Sequence, residues 1–251
     1  MRLTERIRLV GSGTVGFGLT DAYDCHVYLL DGGDELAIVD CGSGFGIDAI
    51  LANVRAEGYD PDRIAHVILT HAHGDHAGGC ARMVAALDDR PAVYLHRDRA
   101  QALRDGDDAA VSVDVAVAAG IYPADYTLEP CRVDVELSDG DTIAVGDLAI
   151  RVLETPGHSE GHVSLLFEEA GRRQLIVGDV VFHGGKILLQ NIHDCRVDRM
   201  VSSLRSLRGL EIDGLFPGHL TFALTGGQAH VERANLALDR LLMPEQLVGP
   251  F

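Results

Sequence analysis

The run Val67-Ile68-Leu69-Thr70-His71-Ala72-His73-Gly74-Asp75-His76 decides how this chain reads. Three imidazoles and one carboxylate fall between His71 and His76, directly after an apolar, β-branched stretch. His and Asp are rarely buried without partners, and burying four together is costly unless a cation compensates. The apolar stretch ties the run to the core, which argues against a solvated surface loop. His71 and His73 stand two apart in an extended segment, so they point the same way and can chelate one ion. Asp75 and His76 are adjacent at the expected start of a helix, project in another direction and can serve a second ion.

Four local ligands are too few for two ions, so others must come from distant segments. Three candidates stand out: His158 in Thr155-Pro156-Gly157-His158, Asp179 in Ile176-Val177-Gly178-Asp179, and His219 in Phe216-Pro217-Gly218-His219. Each follows a glycine, which allows close backbone approach.

Strands are expected at Arg6–Val10, Val27–Leu30, Leu36–Asp40, His66–Thr70, Ala92–His96, Ala149–Glu154, Val163–Phe167 and Leu175–Val177, from alternation and β-branched content. Helical spacing marks Gly46–Glu57, Ala77–Leu87, Asp198–Leu207 and Gly227–Leu242. Hairpin-type turns at Asp31-Gly32-Gly33 and Ala170-Gly171 favour a mixed α/β architecture over an all-parallel one. A coarse echo runs through the chain, because His66–Thr70 and Val152–Glu154 both lead into His-bearing turns. Two halves that each offer ligands from strand ends would explain it. An insert around 97–130 carries Tyr122 and Tyr126, and helices capping the site are expected there. No low-complexity linker divides the chain, so residues 1–251 are read as one domain. Gly11-Ser12-Gly13-Thr14-Val15-Gly16 fits a dinucleotide-binding pattern, but no apolar helix follows it, so it reads as a hairpin loop.

The 251 residues can bury a sizeable core. Twenty-one basic against 38 acidic residues give a formal charge of −17, and Lys186 is the single lysine. Such a surface repels phosphate backbones, which disfavours a nucleic-acid partner. No apolar run suits a membrane span and the first residues lack a signal-peptide core, so a cytoplasmic location without membrane contact is expected. Five cysteines (25, 41, 80, 131 and 195) with no CxxC pair read as reduced thiols. Cys80 is read as a buried, inert thiol rather than a ligand.

The pattern His71-x-His73-x-Asp75-His76, followed in order by His158, Asp179 and His219, resembles the metallo-β-lactamase superfamily. The resemblance runs from about Cys25 to His219. It implies a four-layer αββα sandwich, with two face-to-face sheets and helices outside. It implies one metal on His71, His73 and His158, a second on Asp75, His76 and His219, and Asp179 bridging them at about 3.5–4 Å separation. Two divalent ions are therefore expected. Zinc is the first choice, and iron, manganese or cobalt also suit the donors. Asp75 would also hold the attacking water and shuttle its proton. Asp40 and His162 are expected behind the ligands, orienting them. His183 and Lys186, just past Asp179, are candidates to contact the substrate.

The implied activity is hydrolysis of an ester, thioester or lactone carbonyl in a small molecule. Asp179 as a bridge resembles glyoxalase II and the acyl-homoserine lactonases more than true β-lactamases. Glyoxalase II carries a helical domain after its last ligand, whereas 32 residues follow His219 here, which argues against a glutathione thioester. The alternatives are a mononuclear-iron persulfide dioxygenase, a phosphodiesterase or nuclease, and a metal-binding protein without catalysis. The helix Gly227–Leu242 suits core packing or a homo-oligomer contact.

Overall fold

In the computed structural model, which describes residues 1–247, apolar alternation sorts itself into two sheets. Residues 248–251, the end of the expected domain, lie outside the described residues. The first sheet runs in order β1 (Ile7–Gly11), β2 (Val27–Asp31), β3 (Leu36–Val39), β4 (Ile64–Ile68), β5 (Ala92–His96) and β6 (Val135–Leu137). β1, β2 and β3 pair antiparallel, and β3 to β6 pair parallel. The second sheet places β7 (Thr142–Val145), β8 (Leu148–Glu154), β9 (Val163–Glu169), β10 (Arg172–Gly178) and β11 (Gly214–Pro217) in the order β11-β10-β9-β8-β7. It is antiparallel except for the parallel β10–β11 pair.

Successive side chains on a strand face opposite ways, so each strand feeds two cores. Tyr28, Leu30, Ala37, Val39 and Ile68 point between the sheets, where they meet Ile150, Val152, Leu165, Ile176 and Phe216. Val27, Leu29, Ile38 and Val67 point outward, under helices α1 (Ile47–Ala56), α2 (Gly74–Ala77) and α3 (Cys80–Ala86). In the 97–130 insert lie α4 (Arg97–Asp105) and α5 (Val113–Ala118). On the far face, Leu175, Val177 and Leu215 pack under α6 (Val197–Ser206) and α7 (Gln228–Asp239). The result is the expected helix–sheet–sheet–helix sandwich.

Local bounds differ from expectation in physically readable ways. β4 stops at Ile68, two residues before the expected end, because the Thr70 amide donates to the Asp40 side chain at 2.7 Å instead of to a strand. The helix expected over Ala77–Leu87 starts earlier and is divided at Gly78-Gly79. The Gly11–Gly16 segment forms the connection of the antiparallel β1–β2 pair, with no helix opening in it. All five cysteines are free, and Cys80 sits in the outer core with its Sγ 3.5 Å from that of Cys131. Among the described residues, no helix is long and apolar enough to cross a membrane.

Candidate metal centre

The ligand candidates all emerge from strand ends at one edge of the sandwich. His71, His73, Asp75 and His76 follow β4, whereas His158, Asp179 and His219 follow β8, β10 and β11. Two glycines show why the approach is so close. A Cβ at Gly218 would lie 2.3 Å from Asp179 Oδ1 and 2.6 Å from the His76 ring. Gly178 adopts φ +51°, and a Cβ there would meet His162 Nε2 at 2.4 Å. Neither position has room for a side chain.

Donor atoms gather into four groups among the described residues, each within 4.8 Å internally: His71, His73 and His158; Asp75, His76 and His219; His71, His76 and Asp179; and, behind these, Cys25, Asp40 and His76. Asp179 sits between the first two groups, with Oδ2 3.6 Å from His158 Nε2 and 3.4 Å from His219 Nε2, and Oδ1 3.7 Å from His76 Nε2. The structure thus brings all seven expected ligands together.

The hydrogen bonds behind the rings decide which nitrogens face inward. Thr70 Oγ1 donates to Asp40 Oδ2 at 2.8 Å and accepts from His71 Nδ1 at 3.0 Å, leaving His71 Nε2 free. His76 Nδ1 donates to the same Asp40 oxygen at 2.9 Å. His158 Nδ1 donates to the Leu188 carbonyl at 3.1 Å. These tautomers are inferred from partners, and each aims an Nε2 lone pair into the site. His71 Nε2, His76 Nε2 and Asp179 Oδ1 are buried and have no hydrogen-bond partner among the described residues. His73 Nδ1 faces His158 Nε2 at 3.0 Å, as two ligands of one ion would. Buried polar atoms rarely go unpaired, so this donor set fits divalent cations.

Asp40 and His162 stand where expected. Asp40 is buried with φ +59° and accepts from Thr70 and His76. His162 Nε2 accepts the Asp179 amide N–H at 3.1 Å, and its Nδ1 faces Thr155 Oγ1 at 3.0 Å. Both its nitrogens are engaged, so it positions Asp179 rather than binding metal. His183 and Lys186 take other partners: the His183 ring lies 4.3 Å from that of His230, and Lys186 Nζ lies 2.8 Å from Glu245.

Two groups had no sequence motif to announce them. Asp194 is buried, with Oδ2 3.3 Å from His73 Nε2 and Oδ1 accepting from Ser112 Oγ at 2.9 Å. Tyr122 donates to Asp75 Oδ1 at 3.3 Å and stacks on Tyr126. The insert's tyrosines are visible in the sequence, but the contact of Tyr122 with Asp75 is not.

Burial disfavours charge on the imidazoles, driving His71 and His162 well below the ordinary pKa and His158 down to about 4. At His76 and His219 burial acts the same way, yet neighbouring groups, including Asp75 and Asp179, outweigh it and raise both. Burial alone would raise Asp75 and Asp179, but the same imidazoles hold both well below the usual carboxylate range. Cations bound here would displace those imidazole protons, so metal binding and proton release go together.

A sandwich with this ligand set defines a metal-binding enzyme scaffold. A sequence profile of the Metallo-beta-lactamase superfamily matches residues 20–219. The chain belongs to that superfamily. It is 36% identical over 162 residues to a hydroxyacylglutathione hydrolase of Anaeromyxobacter dehalogenans, covering 64% of this chain and 48% of that protein. It is 28% identical over 215 residues to the acyl-coenzyme A thioesterase MBLAC2 of Bos taurus, covering 77% and 72%. The chain spans about half the length of several curated relatives it matches. Among solved structures, a metallo-beta-lactamase family protein of Thermus thermophilus superposes with a TM-score of 0.72 at 23% identity, over 96% of this chain and 81% of that one. That likeness speaks for the fold alone.

Proposed function

We propose that the chain is a dinuclear metal-dependent hydrolase that cleaves a thioester, ester or lactone of a small molecule. The observation that carries this reading is Asp179, set between two three-residue ligand groups. His71, His73 and His158 would hold one ion, Asp75, His76 and His219 the other, and Asp179 would touch both. Two divalent ions, zinc by the donor chemistry, supply Lewis acidity and lower the pKa of water to about 7.

The chain's own groups do the rest. Asp75 Oδ2 lies 3.0 Å from His219, which leaves Oδ1 toward Tyr122 and the adjoining cavity. From there it accepts a proton from the attacking water and returns it to the leaving sulfur or oxygen as the acyl bond breaks. Tyr122 holds that carboxylate. Burial and Asp75 raise its phenol well above the ordinary value, so it remains a donor. One named relative is an acyl-coenzyme A thioesterase and another a hydrolase of hydroxyacylglutathione, itself a thioester, which favours a thioester within the carbonyl class.

The test is elemental analysis of tag-free protein together with a panel of thioesters, esters and lactones. Two ions per chain are expected, with turnover lost to a chelator and restored by metal. Asp75→Ala should lower kcat by roughly 10²–10⁴-fold while circular dichroism stays native. A single iron with oxygen consumption on persulfides would replace this reading with sulfur dioxygenation.

A further inference from the structure

We propose that a cavity opening beside the ligand groups is a binding pocket for an uncharged, straight-chain acyl group of the substrate. The proposal rests on the hydrolase reading above and adds the substrate's shape and charge to it. The cavity measures about 160 Å³ and begins at His73, Gly74 and Asp75. Its lining also includes Val113, Val115, Ala116 and Ile121 of the insert, and Ile192. A carbonyl held at the metal centre therefore has an apolar channel next to it.

The wall's polar groups are either committed or uncharged. Ser112 Oγ donates to Asp194, and Tyr122 donates to Asp75. Gln190 contributes a neutral amide. No Lys or Arg lines the cavity, and Asp75 is its one carboxylate. An acyl group ending in a carboxylate would lose its hydration among Val115, Ala116 and Ile121, with no basic side chain in the lining to pair it. An alkyl chain would lose nothing, and it would cover Val115 and Ile121, which are 42% and 53% exposed. Exposed apolar groups clustered at a cleft are a common mark of a ligand site.

The test uses thioesters of N-acetylcysteamine with acetyl to decanoyl chains, plus one whose chain ends in a carboxylate. The kcat/KM should climb about fourfold per added methylene until the cavity is full, then level off. The carboxylate-ended thioester should fall at least about 100-fold below its methyl-ended counterpart. Ala116→Phe fills the channel and should reduce octanoyl turnover at least about tenfold more than acetyl turnover. Val115→Asp, at an exposed position that tolerates charge, should shift the same ratio in the same direction. Active enzyme with no dependence on chain length would overturn the pocket and leave the hydrolase standing. So would a length dependence that follows the thiol instead of the acyl group. If no thioester turns over, calorimetry with octanamide and acetamide on metal-loaded protein still decides. Octanamide binding that Ala116→Phe weakens at least about tenfold supports the pocket, and no octanamide binding removes it.

Discussion

Asp194 shows how one buried carboxylate can set the chemistry of a ligand it does not share. A histidine that binds metal through Nδ1 must present its Nε2–H to something, and the partner fixes both tautomer and ring angle. Were His73 to bind in that way, the carboxylate beside its Nε2 would be Asp194, with Oδ2 at 3.3 Å and Oδ1 anchored by Ser112 from the insert. Burial alone would raise the Asp194 pKa, but the His73 imidazole, Ser112 and Arg99 together outweigh it and bring it down to about 2. Asp194→Asn keeps the shape and removes the charge. It should weaken the metal held by His73 about 10–100-fold, read by chelator competition, while leaving the ligand set in place. Unchanged affinity would reduce Asp194 to packing. At this scale the sequence was partly legible. The seven candidate ligands, which the fold brings together, could be picked out because imidazoles and carboxylates tied to apolar strands are costly to bury without a cation. Asp194 could not, since His193-Asp194-Cys195 is an ordinary polar triplet until folding brings it to His73.

Among the elements, the connection from α5 to β6 has the most direct hold on the ligand-bearing turn. Tyr126 places its hydroxyl 2.9 Å from the carbonyls of both Gly74 and Ser43, joining the insert to α2 and to the loop after β3. Tyr126→Phe removes that donor and should cost about 1 kcal/mol, or a fall in Tm of about 2–4 °C. A calorimetric scan showing no change would mean that stacking on Tyr122 alone anchors the segment. The strands that were hard to foresee share a cause. β6 is three residues at a sheet edge, β7 is four at another, and β11 is the buried Gly-Leu-Phe-Pro run on the outer edge of its sheet. An edge strand tolerates proline because one side of it needs no ladder, so its composition advertises a turn instead. β9 was legible over Val163–Phe167 and β10 only over Leu175–Val177, the apolar stretches whose two faces pack against the two cores.

Across the whole molecule, the candidate metal site would also act as a clasp. Four of its candidate ligands come from the end of β4 in the first sheet, and three from strands of the second. The echo of two His-bearing strand ends announced this division in the sequence. The distance between the halves could not be read there, because it depends on how Tyr28 and Phe216 interlock across the interior. Ions bound by both sheets bind the folded chain and not the unfolded one, so they stabilise by mass action. Free metal at 100 times its Kd adds about 2.7 kcal/mol per site, which for a chain of this size raises Tm by about 5–10 °C. Stripping the metals should therefore lower Tm by at least that amount, and the loss should reverse on adding zinc. His158→Ala should remove most of the zinc-dependent rise from the first site while leaving the metal-free Tm within about 2 °C. That result would show that the ligand acts through the ion, not through packing. A metal-free Tm that falls as far as the loaded one would instead mean that His158 supports the fold directly, with the sheets held by their apolar interior alone.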